Sequence, residues 1–343
     1  MTATVTSPVT VPSRSPAGFA PAQADAALLA LGKALQAAHY QHVTVTPATH
    51  ARVLRRAPGA GPASLADVFG WSRPFREVDL PSDIVALMRA AGVLRADGKR
   101  WRSLVRASRL GSELYFHSAY PTSAENAVFF GPDTYRFVRA LRADLGPNPV
   151  ERAVDIGCGA GAAAIAIALH APEADVLAID INDAALRMTG INAALAGAAN
   201  VRPLHSDLLK AADGQFDLIV ANPPYLLDPG ERAYRHGGGE LGAGLSLDIV
   251  RASLARLAPG GRLLMYTGVA MVDGTDPFLT RIAPLLDACG ACWDYDEIDP
   301  DVFGEELDET QYSCAGGPVE RIAAVWLRVV CNGPGSCKGN LAV

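Results

Sequence analysis

Cysteine is scarce in this chain. The 343 residues include six cysteines, which are spaced too widely for a disulfide scaffold, so we expect reduced thiols. Cys289 and Cys292 have the spacing of a zinc knuckle, but no second pair follows at a fitting distance. We therefore expect two buried cysteines near a helix end and no metal site.

Long apolar runs are also missing. The longest extends from Ala160 to Leu169 and ends at His170, well short of the ~20 residues that a membrane helix needs. Residues 1–20 are rich in Ser, Thr, Pro and Ala without the apolar core of a secretion signal, which predicts a disordered tail. We expect no membrane association and a cytoplasmic location, and half of the residues are hydrophobic, enough for two folded domains.

The chain has no large excess of either charge, but its two halves differ. The net charge is −6, made up of +7 in residues 1–150 and −13 in residues 151–343. A basic amino-terminal half would steer an anionic partner such as RNA or a ribosomal surface. An arginine-rich solvated surface explains the same count, and both interpretations stay open.

The amino-terminal part, residues 21–127, reads as short helices followed by a basic hairpin. Helices are predicted at Ala22–Ala38, Ser64–Phe69 and Ser82–Ala91, and strands at Lys99–Arg106 and Glu113–His117. This order indicates a small helical, winged-helix-like domain for substrate recognition. We expect its basic hairpin to contact the substrate.

From Arg152 onward, short apolar runs alternate with helical segments, which is typical of a parallel sheet covered on both faces. Strands are predicted at Ala153–Ile156, Asp175–Asp180, Val201–Ser206, Phe216–Ala221, Arg262–Thr267, Cys292–Ile298 and Arg321–Val329, and helices at Ala162–His170, Asp183–Ala196, Leu245–Leu257 and Pro277–Ala288. The fold class is therefore α/β, with a seven-stranded Rossmann-like sheet in residues 128–331. Residues 332–343 are predicted to form a flexible tail.

A glycine-rich turn follows the first of these strands. Asp155 ends the apolar run, and Gly157, Cys158, Gly159 and Gly161 lead into the next helix. Glycines supply positive φ in a tight turn and let a ligand approach the backbone. The pattern predicts binding of a nucleotide-like cofactor, although nicotinamide dehydrogenases and accidental turns share it.

Two carboxylates stand at the ends of the next two strands. Asp180, followed by Ile181, is placed to accept hydrogen bonds from ribose hydroxyls, and Asp207, followed by Leu208, to accept one from an adenine amino group. A helix cap and a turn residue are the alternative interpretations. At this spacing after the glycines, we assign all four residues to the cofactor site.

The fourth strand ends in Asn222-Pro223-Pro224-Tyr225. Two prolines remove backbone donors and stiffen the loop, leaving its carbonyls and the Asn222 side-chain oxygen free to accept both hydrogens of a planar –NH2 group. Tyr225 is placed to stack on the flat face of that group. The motif predicts methylation-type chemistry on a nitrogen whose lone pair is delocalised, while a simple rigid turn is the alternative.

Together these residues resemble the class I methyltransferases, which implies S-adenosylmethionine (SAM) as cofactor, held by the glycine loop, Asp180, Asp207 and Asn222. More narrowly, the chain resembles the HemK/PrmC family of protein glutamine N5-methyltransferases. That resemblance covers roughly Val128 to Val330. It is carried by the Asn-Pro-Pro-Tyr loop, by Asn182-Asp-Ala-Ala and Ile191-Asn192-Ala, by Phe130-Gly-Pro-Asp-Thr134, and by Gly237-Gly-Gly-Glu-Leu-Gly242.

The resemblance implies transfer of a methyl group from SAM to a planar amide nitrogen, foremost a protein glutamine N5 in a translation factor or ribosomal protein. The alternative is a base N-methyltransferase acting on adenine N6 or guanine N2 in rRNA or DNA, because the same loop serves those acceptors. Motif chemistry does not separate a protein partner from an RNA partner, since each presents a planar –NH2.

Overall fold

The computed structural model describes residues 21–56, 61–147, 149–232, 234–308, 312 and 319–331. The tails expected at 1–20 and 332–343 lie outside these residues. Among the helices of the described ranges, none is long and apolar enough to cross a bilayer.

The amino-terminal part combines short helices with two small hairpins. Its regular elements are α1 (Pro21–Ala37), α2 (Pro47–Leu54), α3 (Ser82–Ala90), β1 (Leu94–Asp97), β2 (Arg100–Ser103), β3 (Val105–Leu110) and β4 (Glu113–Ser118). The first and third expected helices are present within a residue or two at their ends, while Ser64–Phe69 is replaced by a π-helical turn at Ala66–Gly70. Helix α2 was missed, although Thr46 caps it by accepting the Thr49 N–H.

The single basic hairpin predicted from the sequence is wrong in its pairing. The run Lys99–Arg106 is split by a bend at Leu104, so that β2 pairs with β1 while β3 pairs with β4. Arg106 is 3% exposed, and its Nε donates a hydrogen bond to the Ser118 carbonyl oxygen at 3.0 Å. This arginine therefore belongs to the interior and does not offer its charge to a macromolecular substrate.

The second part of the chain is the expected α/β sheet. Its elements are α4 (Pro132–Leu145), β5 (Arg152–Ile156), α5 (Ala162–His170), β6 (Asp175–Asp180), α6 (Asp183–Ala196), β7 (Val201–His205), β8 (Phe216–Ala221), α7 (Gly244–Leu254), β9 (Leu257–Val272), α8 (Pro277–Ala288), β10 (Cys292–Asp299) and β11 (Val319–Val330). The strand order is β10-β11-β9-β8-β5-β6-β7. Strands β7, β6, β5, β8 and β9 run parallel, and β11 is antiparallel to both of its neighbours. The prediction of a seven-stranded Rossmann-like sheet is confirmed.

Two boundaries differ from the predicted ones around Ala258-Pro-Gly-Gly261. Helix α7 ends at Leu254 instead of Leu257, and β9 begins at Leu257, because Leu257 already pairs with Phe216 of β8. A Cβ built on Gly261 would lie 2.6 Å from the Phe216 carbonyl oxygen, so glycine allows the two strands to approach here. Gly260 and Gly261, which lie between the predicted helix and the predicted strand, are part of the long strand.

Helices cover the sheet on both faces. Apolar side chains of α7 and α8 form one core layer, while those of α4, α5 and α6 form the other and continue into α1 and α3 of the amino-terminal part. Cys289 is buried at the end of α8, whereas Cys292 is exposed at the start of β10. Both cysteines were expected to be buried, and this is wrong for Cys292. The layer shared with α1 and α3 makes the amino-terminal part continuous with the core of the sheet.

The Asn192 side chain joins the two parts of the chain. Its Oδ1 accepts the Phe116 N–H at 2.8 Å, and its Nδ2 donates to the carbonyl oxygens of Phe116 at 3.0 Å and Ala160 at 2.9 Å. The side chain is completely buried. One carboxamide of α6 therefore pairs with the edge of β4 and with the glycine-rich turn before α5.

We expect Asn192→Ala to lower the free energy of unfolding by about 3 kcal/mol or more, because it leaves three buried backbone groups without partners. The midpoint of urea unfolding measures the change. Asn126→Ala removes an exposed asparagine and is the matched control, with an expected effect within about 0.5 kcal/mol. Equal midpoints for the two variants would contradict this role for Asn192.

Candidate active site

A cavity of about 240 Å³ opens at the carboxyl ends of β5, β6 and β8. The chain reverses its direction of travel across the sheet between β5 and β8, which is where ligands bind in open α/β folds. Twelve of the predicted site residues line it: Asp155, Gly157, Cys158, Gly159, Asp180, Ile181, Asp207, Leu208, Asn222, Pro223, Pro224 and Tyr225. Gly161 does not line it. Gly161 instead begins α5 at φ +81° and packs against Thr189.

The glycine-rich turn forms one wall of the cavity with exposed backbone. Gly157 has φ +71° and Gly159 has φ +54°, a region that disfavours residues with a Cβ. The N–H groups of Gly157 and Cys158 both donate to the Ile179 carbonyl oxygen, which ties the turn to the end of β6. A Cβ built on Gly157 meets no atom within 4 Å, so any side chain there would extend into open space. The turn thus leaves room for a ligand against the main chain.

Asp155 is buried beneath this turn. Its Oδ2 accepts the Ala164 N–H at 3.0 Å, in the first turn of α5. Burial raises the pKa of Asp155 to about 7, since removal from water disfavours the charged form and nearby Asp180 adds repulsion. A positively charged ligand in the cavity would oppose both effects.

Asp180 closes the other side of the glycine turn. Its Oδ2 accepts the Gly159 N–H at 3.0 Å and its Oδ1 accepts the Asn182 N–H at 2.9 Å. Burial raises the pKa of Asp180, and these backbone donors counteract part of the rise. Asn182, and not Asp180, caps α6 by accepting the Ala184 N–H. The helix-cap interpretation of Asp180 therefore does not apply, and the side chain lines the cavity with accepting capacity left on its carboxylate.

Asp207 is more exposed than the other two carboxylates. Its Oδ2 lies 2.5 Å from the Lys210 ammonium, and both side chains are mostly in solvent. An ion pair of this kind contributes little to stability and exchanges readily with water or a ligand. Leu208 has φ +49°, so the chain turns sharply at the cavity rim. The adenine-binding role of Asp207 stays a prediction.

The Asn222 side chain is the polar group of the Asn-Pro-Pro-Tyr loop that the fold leaves uncommitted. Residue 222 is partly exposed at the cavity, immediately beyond the end of β8. Within the described ranges no hydrogen bond engages its carboxamide, whereas the Asn192 carboxamide makes three. Its oxygen and NH2 group are therefore available to a ligand.

Tyr225 is held far more tightly than the sequence suggested. It is only 6% exposed, and its hydroxyl donates to Asp133 Oδ2 at 2.6 Å. A Cβ built on Gly268 would lie 2.1 Å from the Tyr225 ring, so the ring rests directly on β9. Tyr225 lines the cavity as a fixed wall, and its stacking on an acceptor stays a prediction.

The glycine run at 237–242 packs over the main chain of the same loop. A Cβ on Gly242 would lie 2.1 Å from the Tyr225 carbonyl oxygen, and one on Gly237 would lie 2.7 Å from the Tyr225 Cα. The Gly237 N–H donates to the Leu226 carbonyl oxygen at 2.9 Å. Backbone-to-backbone contact at this distance requires glycine. This explains why glycines occupy positions 237 and 242.

Several cavity residues were not predicted from the sequence: Pro47, Phe129, Phe130, Asp133, Thr134, Tyr234, Arg235 and Phe303. They come from segments other than the carboxyl ends of the strands, where the sequence analysis looked for site residues. Asp133 had two signals, its place in the Phe130–Thr134 motif of the resemblance and its position in the first turn of a helix opened by Gly131-Pro132. Arg235 forms ion pairs with Asp228 and Glu306 at the cavity edge, and nothing in the local sequence indicates this.

Comparison with known proteins agrees with this geometry. A family model described as the methyltransferase small domain matches residues 134–271. The release factor glutamine methyltransferase of Deinococcus radiodurans is 32% identical over 263 residues, covering 68% of this chain and 90% of that protein. The ribosomal protein uL3 glutamine methyltransferase of Xanthomonas campestris is 32% identical over 228 residues, covering 61% and 72%.

The similar solved structures are more distant. One is the tRNA m1G37 methyltransferase of Methanocaldococcus jannaschii, with a TM-score of 0.45 and 16% identity over 67% of this chain and 57% of that one.

The sheet, the glycine turn and the strand-end loop together define a class I SAM-dependent methyltransferase. Within that class, the chain belongs to the HemK/PrmC family, on its similarity to the Deinococcus protein.

We expect SAM affinity to fall as pH is lowered through about 7. Burial places the pKa of Asp155 there, so a proton must leave the carboxyl before a cationic ligand is accommodated, and the dissociation constant rises at most tenfold per pH unit below it. Calorimetric titration with SAM between pH 5.5 and 8.5 measures the slope. Asp155→Asn keeps an acceptor for Ala164 and should flatten the profile, whereas an unchanged slope would exclude Asp155 as its source.

Proposed function

We propose that this methyltransferase modifies the side-chain amide nitrogen of a glutamine in a protein, such as a translation factor or a ribosomal protein. The similar proteins named above are described as glutamine methyltransferases acting on release factors or on ribosomal protein uL3. The observation that carries the proposal is the uncommitted Asn222 carboxamide at the end of β8. Its carboxamide offers a coplanar donor and acceptor to a planar –NH2 group, and the similar proteins favour the amide of a glutamine as that group.

The cavity fits the cofactor of the class. Bound SAM supplies an electrophilic methyl group on a sulfonium sulfur. Asp180 would bind the ribose hydroxyls through its remaining lone pairs, Asp207 the adenine amino group, and the backbone from Gly157 to Gly159 the methionine part. The buried carboxylates of Asp155 and Asp180 favour a cation nearby.

The acceptor nitrogen is a poor nucleophile because its lone pair is delocalised into the carbonyl group. In our proposal the Asn222 oxygen accepts one N–H and the Pro223 carbonyl accepts the other, which holds both hydrogens in the plane and directs the lone pair out of it. Pro223 and Pro224 fix the positions of these two acceptors. The aligned acceptor nitrogen then reacts faster, because effective positioning lowers the barrier of such a step by up to ~7–11 kcal/mol. The nitrogen proton leaves to water after the C–N bond has begun to form, and no strong base is needed.

The nucleic acid alternative has less support from the structure. The basic count of the amino-terminal half includes the buried Arg106 and arginines that pair with neighbouring carboxylates, such as Arg89 with Glu77 and Arg102 with Asp97. An rRNA or DNA base remains the second prediction, because the net count already cancels the paired arginines and falls only from +7 to +6 without Arg106.

The acceptor is tested with radiolabelled SAM and a lysate from a strain that lacks this gene. We expect the label to enter material that is sensitive to protease and resistant to RNase and DNase. Acid hydrolysis should release it as volatile methylamine, because hydrolysis of an N-methylated amide yields that amine. Nuclease-sensitive label that stays on a purine base would overturn the glutamine proposal.

We expect Asn222→Ala to reduce kcat by on the order of 10²-fold, comparable to losing one transition-state hydrogen bond. Asn222→Asp keeps the acceptor oxygen and should retain measurable activity. Single-turnover rates and melting temperatures are measured on the same preparations. A folded and fully active Asn222→Ala would remove Asn222 from the mechanism, and a loss confined to melting temperature would reduce it to a turn residue.

A further inference from the structure

A single buried carboxylate, Asp133, connects three segments of the active site. Its Oδ2 accepts the Tyr225 hydroxyl at 2.6 Å, and its Oδ1 accepts the Tyr266 hydroxyl at 2.7 Å. Arg136 Nη1 donates to Oδ1 at 3.2 Å. The contacts join the first turn of α4, the loop after β8 and the middle of β9.

The cost of burying this carboxylate indicates that the arrangement is specific. Asp133 is 4% exposed, and burial raises its pKa while the two tyrosines and Arg136 oppose the rise. A buried carboxylate is tolerated when charge-assisted hydrogen bonds occupy its oxygens and a helix N-terminus faces it, and both conditions hold here. Each oxygen of Asp133 accepts a tyrosine hydroxyl, and Oδ1 also accepts Arg136.

The Tyr225 ring is fixed from a second side. Gly268 lies directly beneath it, and a Cβ there would come within 2.1 Å of the ring. A hydroxyl anchored at one end and a ring supported on a strand leave Tyr225 no alternative position. Tyr225 is also separated from Asn222 only by two prolines, whose fixed φ angles transmit its position along the chain.

We propose that Asp133 is a positioning residue that sets the Asn222 carboxamide for catalysis, acting through Tyr225 and the two prolines. The inference rests on the proposed role of the Asn-Pro-Pro-Tyr loop but not on the identity of the acceptor. Loss of the carboxylate frees the Tyr225 hydroxyl, and the loop then samples orientations in which the acceptor nitrogen is misaligned. The cofactor wall is formed by other segments and stays in place.

The first test is a double-mutant cycle on methyl transfer. The acceptor is whichever lysate fraction, protein or nucleic acid, the parent enzyme labels from SAM. Asp133→Ala and Tyr225→Phe should each reduce the maximal rate about 10- to 100-fold with SAM affinity within twofold of the parent. The double variant should lose no more than the larger single loss, because both changes break one link. A rate loss in the double variant equal to the product of the two single losses would overturn the proposal.

Tyr295→Phe is the matched control. Its hydroxyl donates to Asp276 Oδ2 at 2.6 Å, the same pair of groups at the same distance, at α8 and β10 instead of the cavity. It should lower stability while keeping the parent's rate. Asp133→Asn should recover at least tenfold over Asp133→Ala, since an amide still offers one acceptor and one donor to the two tyrosine hydroxyls.

Hydrogen exchange supplies a readout that needs no acceptor. In Asp133→Ala, the amides of Leu226 and Leu227, measured in a peptide covering residues 219–229, should exchange at least tenfold faster, while a peptide covering 153–165 stays unchanged. Unchanged exchange in the first peptide would overturn the proposal, whatever the acceptor proves to be. Label found on nucleic acid would instead contradict the glutamine assignment and leave the role of Asp133 standing.

Discussion

The architecture depends on one buried carboxamide. Asn192 satisfies both backbone groups of Phe116 at the free edge of β4 and also binds the Ala160 carbonyl oxygen beside the glycine turn. An unpaired strand edge facing a helix would otherwise leave buried polar groups without partners. The amino-terminal hairpin is therefore held against α6 by the same side chain that supports the cofactor wall. Pro47 of the same amino-terminal part lines the cavity.

The active site contains polar groups that are costly to bury or that have no protein partner. Asp155 and Asp180 bind backbone N–H groups, yet burial still raises the pKa of each carboxyl. These groups carry an energetic cost in the ligand-free chain that a cation in the cavity relieves. Asn222 shows the same logic in neutral form, since its carboxamide has no partner among the described residues while the tyrosine three positions later is fully anchored. The loop thus offers one side chain to a ligand and holds the other end in a fixed position.

The sequence predicted the parallel sheet well and the amino-terminal part poorly, for physical reasons. Buried parallel strands are short apolar runs, and β6 and β8 were placed at their observed bounds, as were the helices that Asn182 and Asp276 cap. The Lys99–Arg106 run failed because it holds no glycine or proline to mark the bend at Leu104, so it reads as one strand. The link between Tyr225 and Asp133 spans 92 positions, and only tertiary packing creates it.

The sequence also does not show which charged side chains become buried, and this affects the choice between a protein and a nucleic acid acceptor. A count of +7 in residues 1–150 treats every arginine as surface, but Arg106 is buried without a carboxylate partner among the described residues. Burial, reinforced by this guanidinium, lowers the pKa of His42 and of His50 to about 4, so both rings are neutral near pH 7. The interior therefore holds one positive charge that no external phosphate reaches. Arg106 removes one unit from this excess, and the paired arginines are already cancelled by their carboxylates in the net count, so charge alone does not choose the acceptor. The similarity to proteins described as glutamine methyltransferases is then the stronger guide to the acceptor.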